Sequence, residues 1–196
     1  MKWALVIIIS YLIGCFSSAY FIGKITKNID IRGYGSGNAG TTNAMRVMGK
    51  KLGIVTFVLD VFKGILAVYL GRLLLGDTGG LVGGFFAVMG HNWPIFLGFK
   101  GGKGVATSLG ILLTIHWPST IIAVILGVIV ALISRYVSLG SMCFLSSFPI
   151  IYGLASNTFN KEVFILSLLL AILAIIRHKS NIERLMAGNE NKLGRW

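Results

Sequence analysis

The sequence predicts an all-α membrane protein with seven transmembrane helices, its amino terminus outside and its carboxy terminus cytoplasmic. Three observations carry that expectation. Hydrophobic residues make up 55% of the 196-residue chain and charged residues only 12%, against about 25% charged in soluble domains, and mean hydropathy is +0.83. Apolar runs of spanning length recur along the chain, a crossing helix needing about 20 mainly apolar residues. The net charge of +12 gathers between alternate runs, as the positive-inside rule requires. This balance excludes a disordered chain, a disulfide-stapled secreted scaffold and an ordinary cytosolic enzyme. The longest polar stretches, residues 23–51 and 177–196, leave no room for a soluble domain, so residues 1–196 read as a single membrane domain.

The first span covers about residues 3–22. It is too long for the apolar part of a signal peptide and has no small-residue cleavage site, so it reads as an anchor. The second covers about residues 52–75 and the third about 79–96. A longer apolar stretch from Val105 to Ile133 is interrupted at His116, Trp117, Pro118 and Ser119. Pro118 suits the first turn of a new helix, so this break reads as a tight turn between two spans. The first of them, about residues 104–115, is only about 18 Å long at 1.5 Å per residue and crosses only with help from its neighbours. The last two spans are about residues 137–155 and 161–176.

With the loop after the first span in the cytoplasm, alternation leaves only Lys2, Arg72 and Lys161 outside and Lys63 within a span. The remaining cations, Lys192 and Arg195 among them, face inward, and the opposite orientation would invert this bias. A sequence pI near 10.1 does not point to nucleic acid, because too little polar surface remains for a DNA-binding face. Cys15 and Cys143 sit inside apolar runs without a paired spacing motif, which argues against disulfide, zinc or thiol chemistry. Asp60 and Lys63, three residues apart in the second span, can pair and so reduce the cost of burial. His116 is expected in a solvated outer turn. His91 either faces the cytoplasmic mouth or bonds a neighbouring helix.

Three polar clusters fall on the cytoplasmic side. The first comprises Gly35, Ser36, Gly37, Asn38, Ala39, Gly40, Thr41, Thr42 and Asn43, with Arg46 close behind. It formally contains the dinucleotide pattern GxGxxG, but a span rather than a strand precedes it, and Asp60 lies inside the next span, so a Rossmann reading fails. What remains is a loop in which glycines let backbone amides converge, hydroxyls and amides add donors, and Arg46 adds a charged fork. Such a loop suits phosphate.

The second cluster runs from Gly90 and His91 to Gly101, Gly102, Lys103, Gly104 and Thr107. It approaches a Walker A loop, but Leu97 stands where its first glycine would be and Gly104 replaces the magnesium-binding Ser or Thr. ATP hydrolysis is therefore disfavoured, and a second anion cradle at a helix start fits better. The third cluster, Arg177 to Leu185 and then Gly188, Asn189 and Glu190, directly follows the last span. If the helix continues, His178, Asn181 and Arg184 share a face. A histidine among cations tends to stay neutral, as a proton acceptor would. Ser141, beside Gly140, is a further polar wall residue.

At these residues the sequence resembles a known family, the PlsY-type bacterial acyl-phosphate–glycerol-3-phosphate acyltransferases of phospholipid synthesis. The motifs that carry the resemblance read GSGNAGTTNAMR from Gly35, GHNWPIFLGFKGGKGVATS from Gly90 and RHKSNIERLMAGNE from Arg177, in that order along the whole chain. The resemblance implies transfer of a fatty acyl group from acyl phosphate to the 1-hydroxyl of sn-glycerol 3-phosphate, giving lysophosphatidic acid, at the bacterial inner membrane. It implies Ser36, Arg46, Lys103, His178 and Asn181 as catalytic residues. Gly35, Gly37, Asn38, Gly40, Thr41, Asn43, His91, Gly101, Gly102, Gly104, Thr107, Ser141 and Glu190 would then bind substrate.

The expected partners are acyl phosphate, glycerol 3-phosphate and membrane lipid, with a monomeric protein and no cofactor or metal. Two anion cradles at the mouth of a lipid-embedded bundle suit a donor with a phosphate head on an apolar tail and a small phosphorylated acceptor. The proton acceptor is either His178 or a substrate phosphate oxygen. A small transporter of phosphate or phospholipid remains an alternative, although alternating access favours a site near the midplane. A non-catalytic scaffold attracting anionic headgroups is a third reading.

Overall fold

The computed structural model describes residues 1–156 and 159–194, so Arg195 lies outside the described residues. Among those, helices are the only regular elements: α1 (Lys2–Cys15), α2 (Ser18–Lys27), α3 (Thr41–Met48), α4 (Lys50–Asn92), α5 (Val105–Ser134), α6 (Val137–Ala155), α7 (Lys161–Arg177) and α8 (Lys179–Met186). The chain packs as two compact units, Met1–Thr114 and Ile115–Trp196. Four segments are long and apolar enough to cross a membrane, Lys2–Lys27, Lys50–Leu97, Val105–Ser134 and Val137–Ala155. A fifth is added if α7 and α8, bent by 56° at their junction, count as one span.

In the first unit the first candidate span, Lys2–Lys27, is built from two helices. The chain turns extended at Phe16 and Ser17, so α1 stops at Cys15 and a second helix starts at Ser18. No proline or glycine sits at that break. Its cause lies elsewhere in the chain: the carbonyls of Gly14 and Phe16 are taken up by the Lys63 ammonium at 3.2 and 2.8 Å. α1 runs alongside the later part of α4, with Gly14 against the Ala87 backbone and Gly90 against Tyr11 and Cys15.

At 43 residues, α4 as a straight rod would be about 65 Å long, twice the roughly 30 Å of a bilayer's hydrocarbon core. It instead breaks at Leu75 and Gly76, where Gly76 adopts φ +67°, a conformation open to glycine. The two legs fold back on each other along a glycine seam in which Gly71 meets Gly79, Gly80 meets Val68 and Gly83 meets the Ala67 carbonyl. Small residues permit this close backbone approach. The break falls between the second and third spans read from the sequence. The start of α5 crosses the same helix, with Gly64 on Thr107 and Gly110 on the Val61 carbonyl.

In the second unit α5 restarts after non-helical backbone at His116 (φ −152°, ψ 82°), with Pro118 inside its first turn. His116 is half-buried rather than solvated. Its Nδ1 accepts from the Ser119 amide at 3.3 Å, and its ring stands edge-on to Tyr152 at 5.0 Å. Gly127 and Gly140 bring α5 and α6 into backbone contact. Asn160 caps α7, its carbonyl oxygen accepting from the Glu162 and Val163 amides at 2.7 and 3.1 Å. Large apolar side chains remain exposed on the helices of both units, among them Ile8, Val58 and Phe62 in one and Ile125, Leu132 and Ile172 in the other. Apolar belts of this kind face lipid in membrane proteins.

Candidate active site

The first glycine-rich loop is organised from within. Asn43 is 2% exposed, and its side-chain oxygen accepts from the Ser36 amide at 2.8 Å. Its amide nitrogen donates to the carbonyls of Ile31 and Tyr34 at 3.2 and 3.0 Å. The left-handed backbone at Gly35 (φ +59°) lies directly against that amide, where a Cβ would collide with Asn43. At the loop's other end Asp30 and Arg32 pair at 2.7 Å, and Arg32 donates a further bond to the Leu97 carbonyl at 2.7 Å. The hydrogen bond from Arg32 holds the Asp30 carboxyl below the usual carboxylate range. Ser36 is exposed and Asn38 half-buried on this loop. Gly40 precedes α3, Thr41 opens it, and Arg46 stands in its last turn.

The second loop is built around His91. The Gly102 amide donates to the His91 carbonyl at 3.0 Å, and the His91 ring lies so close that a Cβ on Gly102 would overlap it. Gly101 likewise abuts the His91 carbonyl and Pro94. Gly104 (φ +78°) turns the chain into α5 against Val88 and Asn92, and Lys103 is half-buried between the glycines. Thr107, fully buried, falls in the first turn of α5. The hydroxyls of Thr41 and Thr107 are both buried and have no hydrogen-bond partner among the described residues. Unsatisfied buried hydroxyls are rare and call for an explanation. Each stands where a helix start presents its amides and positive dipole end to an anion.

Asp60 and Lys63 do pair, at 2.9 Å and nearly completely buried. Sequence reasoning missed the rest of their network: Ser18 donates to the same Asp60 oxygen at 2.9 Å, and Lys63 Nζ lies 2.8 Å from His91 Nδ1. The signal that could have found it is the presence of both charges and His91 in apolar surroundings, where each must find a partner.

In the second unit the third motif forms a separate cluster. His178 is 2% exposed at the junction of α7 and α8, and its Nδ1 lies 2.7 Å from the Ala174 carbonyl. A carbonyl only accepts, so Nδ1 carries a hydrogen, and in the neutral form of the ring the lone pair is on Nε2. Glu190 accepts from the Asn181 amide at 2.7 Å and from Ser138 Oγ at 3.1 Å with one oxygen. Its other oxygen accepts from Arg184 Nε at 2.7 Å. Asn181 and Arg184 thus share a face of α8, as their spacing predicts, although the helix bends at His178. Ser141 bonds back to the Val137 carbonyl at 2.8 Å, and it is Ser138 that reaches Glu190.

The chain is similar to known proteins over nearly its whole length. The glycerol-3-phosphate acyltransferase family model matches residues 4–188. A glycerol-3-phosphate acyltransferase of Thermoanaerobacter sp. (strain X514) is 50% identical, the alignment covering 99% of this chain and 97% of the relative. One of Alkaliphilus metalliredigens is 45% identical over 97% and 96%. Two crystal structures of PlsY (YgiH), an integral membrane glycerol 3-phosphate acyltransferase, superpose closely. Its glycerol 3-phosphate form gives a TM-score of 0.92 at 34% identity, covering 99% of this chain and 96% of that one. Its lysophosphatidic acid form gives 0.90 at 33% identity with the same coverage. A match of this extent, over an all-helical fold, makes this chain a member of the glycerol-3-phosphate acyltransferase family, a membrane enzyme of phospholipid biosynthesis.

Proposed function

We propose that this acyltransferase takes its acyl group from an acyl phosphate and passes it directly to the 1-hydroxyl of sn-glycerol 3-phosphate. The hydroxyl oxygen forms an ester bond to the carbonyl carbon while the carbon–oxygen bond to phosphate breaks. Lysophosphatidic acid and inorganic phosphate leave. The hydroxyl proton passes to His178 Nε2 or to a phosphate oxygen of a substrate. Phosphate is already a good leaving group, so no covalent acyl-enzyme is required, and positioning and charge stabilisation supply the catalysis.

The observation that supports this reading is the pair of buried, unpartnered hydroxyls of Thr41 and Thr107 at two glycine-led helix starts. Each suits a phosphate oxygen. Arg46 and Lys103 supply fixed positive charge to these cradles, while Ser36, Asn38 and the amides at Gly35, Gly37, Gly40, Gly101, Gly102 and Gly104 complete them. Asn43 and His91 shape the loops from below. His178 and Asn181 orient glycerol 3-phosphate, with Glu190 fixing Asn181 and Ser141 lining the wall.

The chain acts as a single monomeric domain, 1–196, in the bacterial inner membrane. Its seven crossings come from α1 with α2, the two legs of α4, the two legs of α5, α6 and α7. The amino terminus faces outward and the motifs face the cytoplasm.

Purified protein in liposomes tests the reaction. Palmitoyl phosphate with glycerol 3-phosphate should yield lysophosphatidate, whereas acyl-CoA and acyl carrier protein should not serve as direct donors. Arg46→Ala and Lys103→Ala should each lower kcat/KM by about a hundredfold or more, the usual cost of removing a charge-stabilising donor. His178→Ala separates its two roles: loss of glycerol 3-phosphate affinity with turnover kept at saturation marks a binder, and loss of kcat marks the base. An acyl-enzyme isolated without acceptor would overturn direct transfer.

A further inference from the structure

We propose that Lys63, a buried cation remote from both glycine loops in sequence, is a positioning residue for acyl transfer: it sets the tautomer of His91 and so places an N–H donor against the second glycine loop. The inference rests on that loop being the phosphate cradle proposed above.

The geometry is specific. Lys63 Nζ has four acceptors around it: Asp60 Oδ1 at 2.9 Å, the Phe16 carbonyl at 2.8 Å, the Gly14 carbonyl at 3.2 Å and His91 Nδ1 at 2.8 Å. An ammonium group carries three hydrogens and accepts none. His91 Nδ1 must therefore present its lone pair to Lys63, and the ring hydrogen resides on Nε2. The Asp60 carboxylate, 3.7 Å from Nδ1, lies beyond hydrogen-bond distance of that nitrogen, so Lys63 is the group that faces it.

Nε2 is the ring atom nearest the position a Gly102 Cβ would occupy, with Cε1 and Cδ2 at 2.7 and 3.0 Å from it. The donor made by this tautomer is thus directed at the turn between Gly101 and Gly104. The His91 carbonyl accepts from the Gly102 amide at 3.0 Å, so backbone and ring of one residue hold the same turn. His178 has the opposite hydrogen placement, on Nδ1, which makes it an internal reference. A donor at the floor of an anion loop favours a phosphate oxygen, whereas the reversed tautomer would offer it a lone pair and repel it. Lys63 touches no substrate in this scheme and acts through His91 alone.

The experiment has two arms. In the first, the protein is labelled with 15N-histidine in detergent micelles; its three histidines are assigned by single substitution. His91 should show an unprotonated Nδ1 and a protonated Nε2, and His178 the reverse. In Asp60→Asn/Lys63→Met, which removes both charges together so that neither is left buried alone, the His91 pattern should change and that of His178 should not. This arm needs no acyl donor, so it stands even if the proposed reaction fails.

The second arm measures acyl transfer to glycerol 3-phosphate from whichever donor the wild type accepts. Asp60→Asn/Lys63→Met and His91→Ala should each raise the KM of the phosphate-bearing substrate by about tenfold, the scale of one lost charge-assisted bond, with a smaller change in kcat. Combined, they should do no worse than His91→Ala alone, and His91→Gln, which restores a donor near the Nε2 position, should recover part of the loss. A His91 pattern unchanged by Asp60→Asn/Lys63→Met, or losses that multiply when combined, would overturn the proposal and leave Lys63 a structural plug for the α1 break. Thermal unfolding of each variant identifies any that fail to fold; if Asp60→Asn/Lys63→Met is among them, Lys63→Arg, which keeps the charge and donors, should retain the wild-type His91 pattern and KM, and a reversed pattern in that folded variant would overturn the proposal.

Discussion

The two units handle charge in opposite ways. In the first, a carboxylate, an ammonium and an imidazole sit inside an apolar helix bundle, with Asp60 at 1%, Lys63 at 4% and His91 at 6% exposure. In the second, the one buried carboxylate among the described residues, Glu190, lies in the tail beyond α8, and its cationic partner Arg184 keeps 31% of its side chain exposed. Where water is excluded, each buried charge must be matched, and Lys63 draws on the carbonyls left open where α1 ends. Where water is near, a looser clasp suffices. A buried ion pair loses most when one partner is removed, because the survivor stays charged and desolvated.

Breaking the inner network should therefore give the largest effect. Asp60→Ala leaves the Lys63 ammonium without its counter-charge and should destabilise the first unit by about 3–5 kcal/mol, read by thermal unfolding in detergent. An effect no larger than that of the next variant would erase the contrast between the units. Glu190→Ala removes the acceptor of Asn181, Ser138 and Arg184 and should cost about 1–3 kcal/mol, with acyl transfer falling more steeply than stability because Asn181 loses its anchor. Asn43→Ala, which frees the Ser36 amide and two carbonyls, should cost about 1–2 kcal/mol and make the first loop a site of limited proteolysis.

The smallest effect belongs to Asp30, which lies on the surface of the first unit. Its carboxyl is held below its ordinary value of 3.8 by the Arg32 hydrogen bond, so the folded state binds this proton less tightly than the unfolded chain does. The stability it lends is present above pH about 3.8 and is lost as pH falls through the lower folded value. Asp30→Asn should flatten the acid limb of a pH–unfolding curve slightly and leave neutral stability nearly unchanged, as expected of a solvent-screened pair.

Much of this architecture is legible in the chain itself. The α4 turn announces itself in Gly76, Asp77, Thr78 and Gly79, and the α5 break in His116 and Pro118, because local residues cause both. The break at Phe16 and Ser17 is not legible: its cause is a lysine 47 residues away in sequence, and nothing nearby forbids a continuous helix. The phosphate-suited loops stand out by composition, since glycine, hydroxyl and cation side by side have few other uses. The work of individual polar side chains is harder to read. Asn43 uses its amide to hold its own loop, and Glu190 holds Asn181. Composition alone cannot separate such a brace from a substrate ligand, because both need the same functional groups.

The glycine seam in α4 has a mechanical consequence. The carbonyls of Ala67 and Gly71 stand where the absent side chains of Gly83 and Gly79 would be, so a one-residue slip that brought Thr78 and Val82 to those places would drive a side chain into a peptide oxygen. The hairpin resists slipping in that direction. When the surrounding bilayer thickens or thins, it must answer by tilting as one plank, while length changes are taken up at its polar ends.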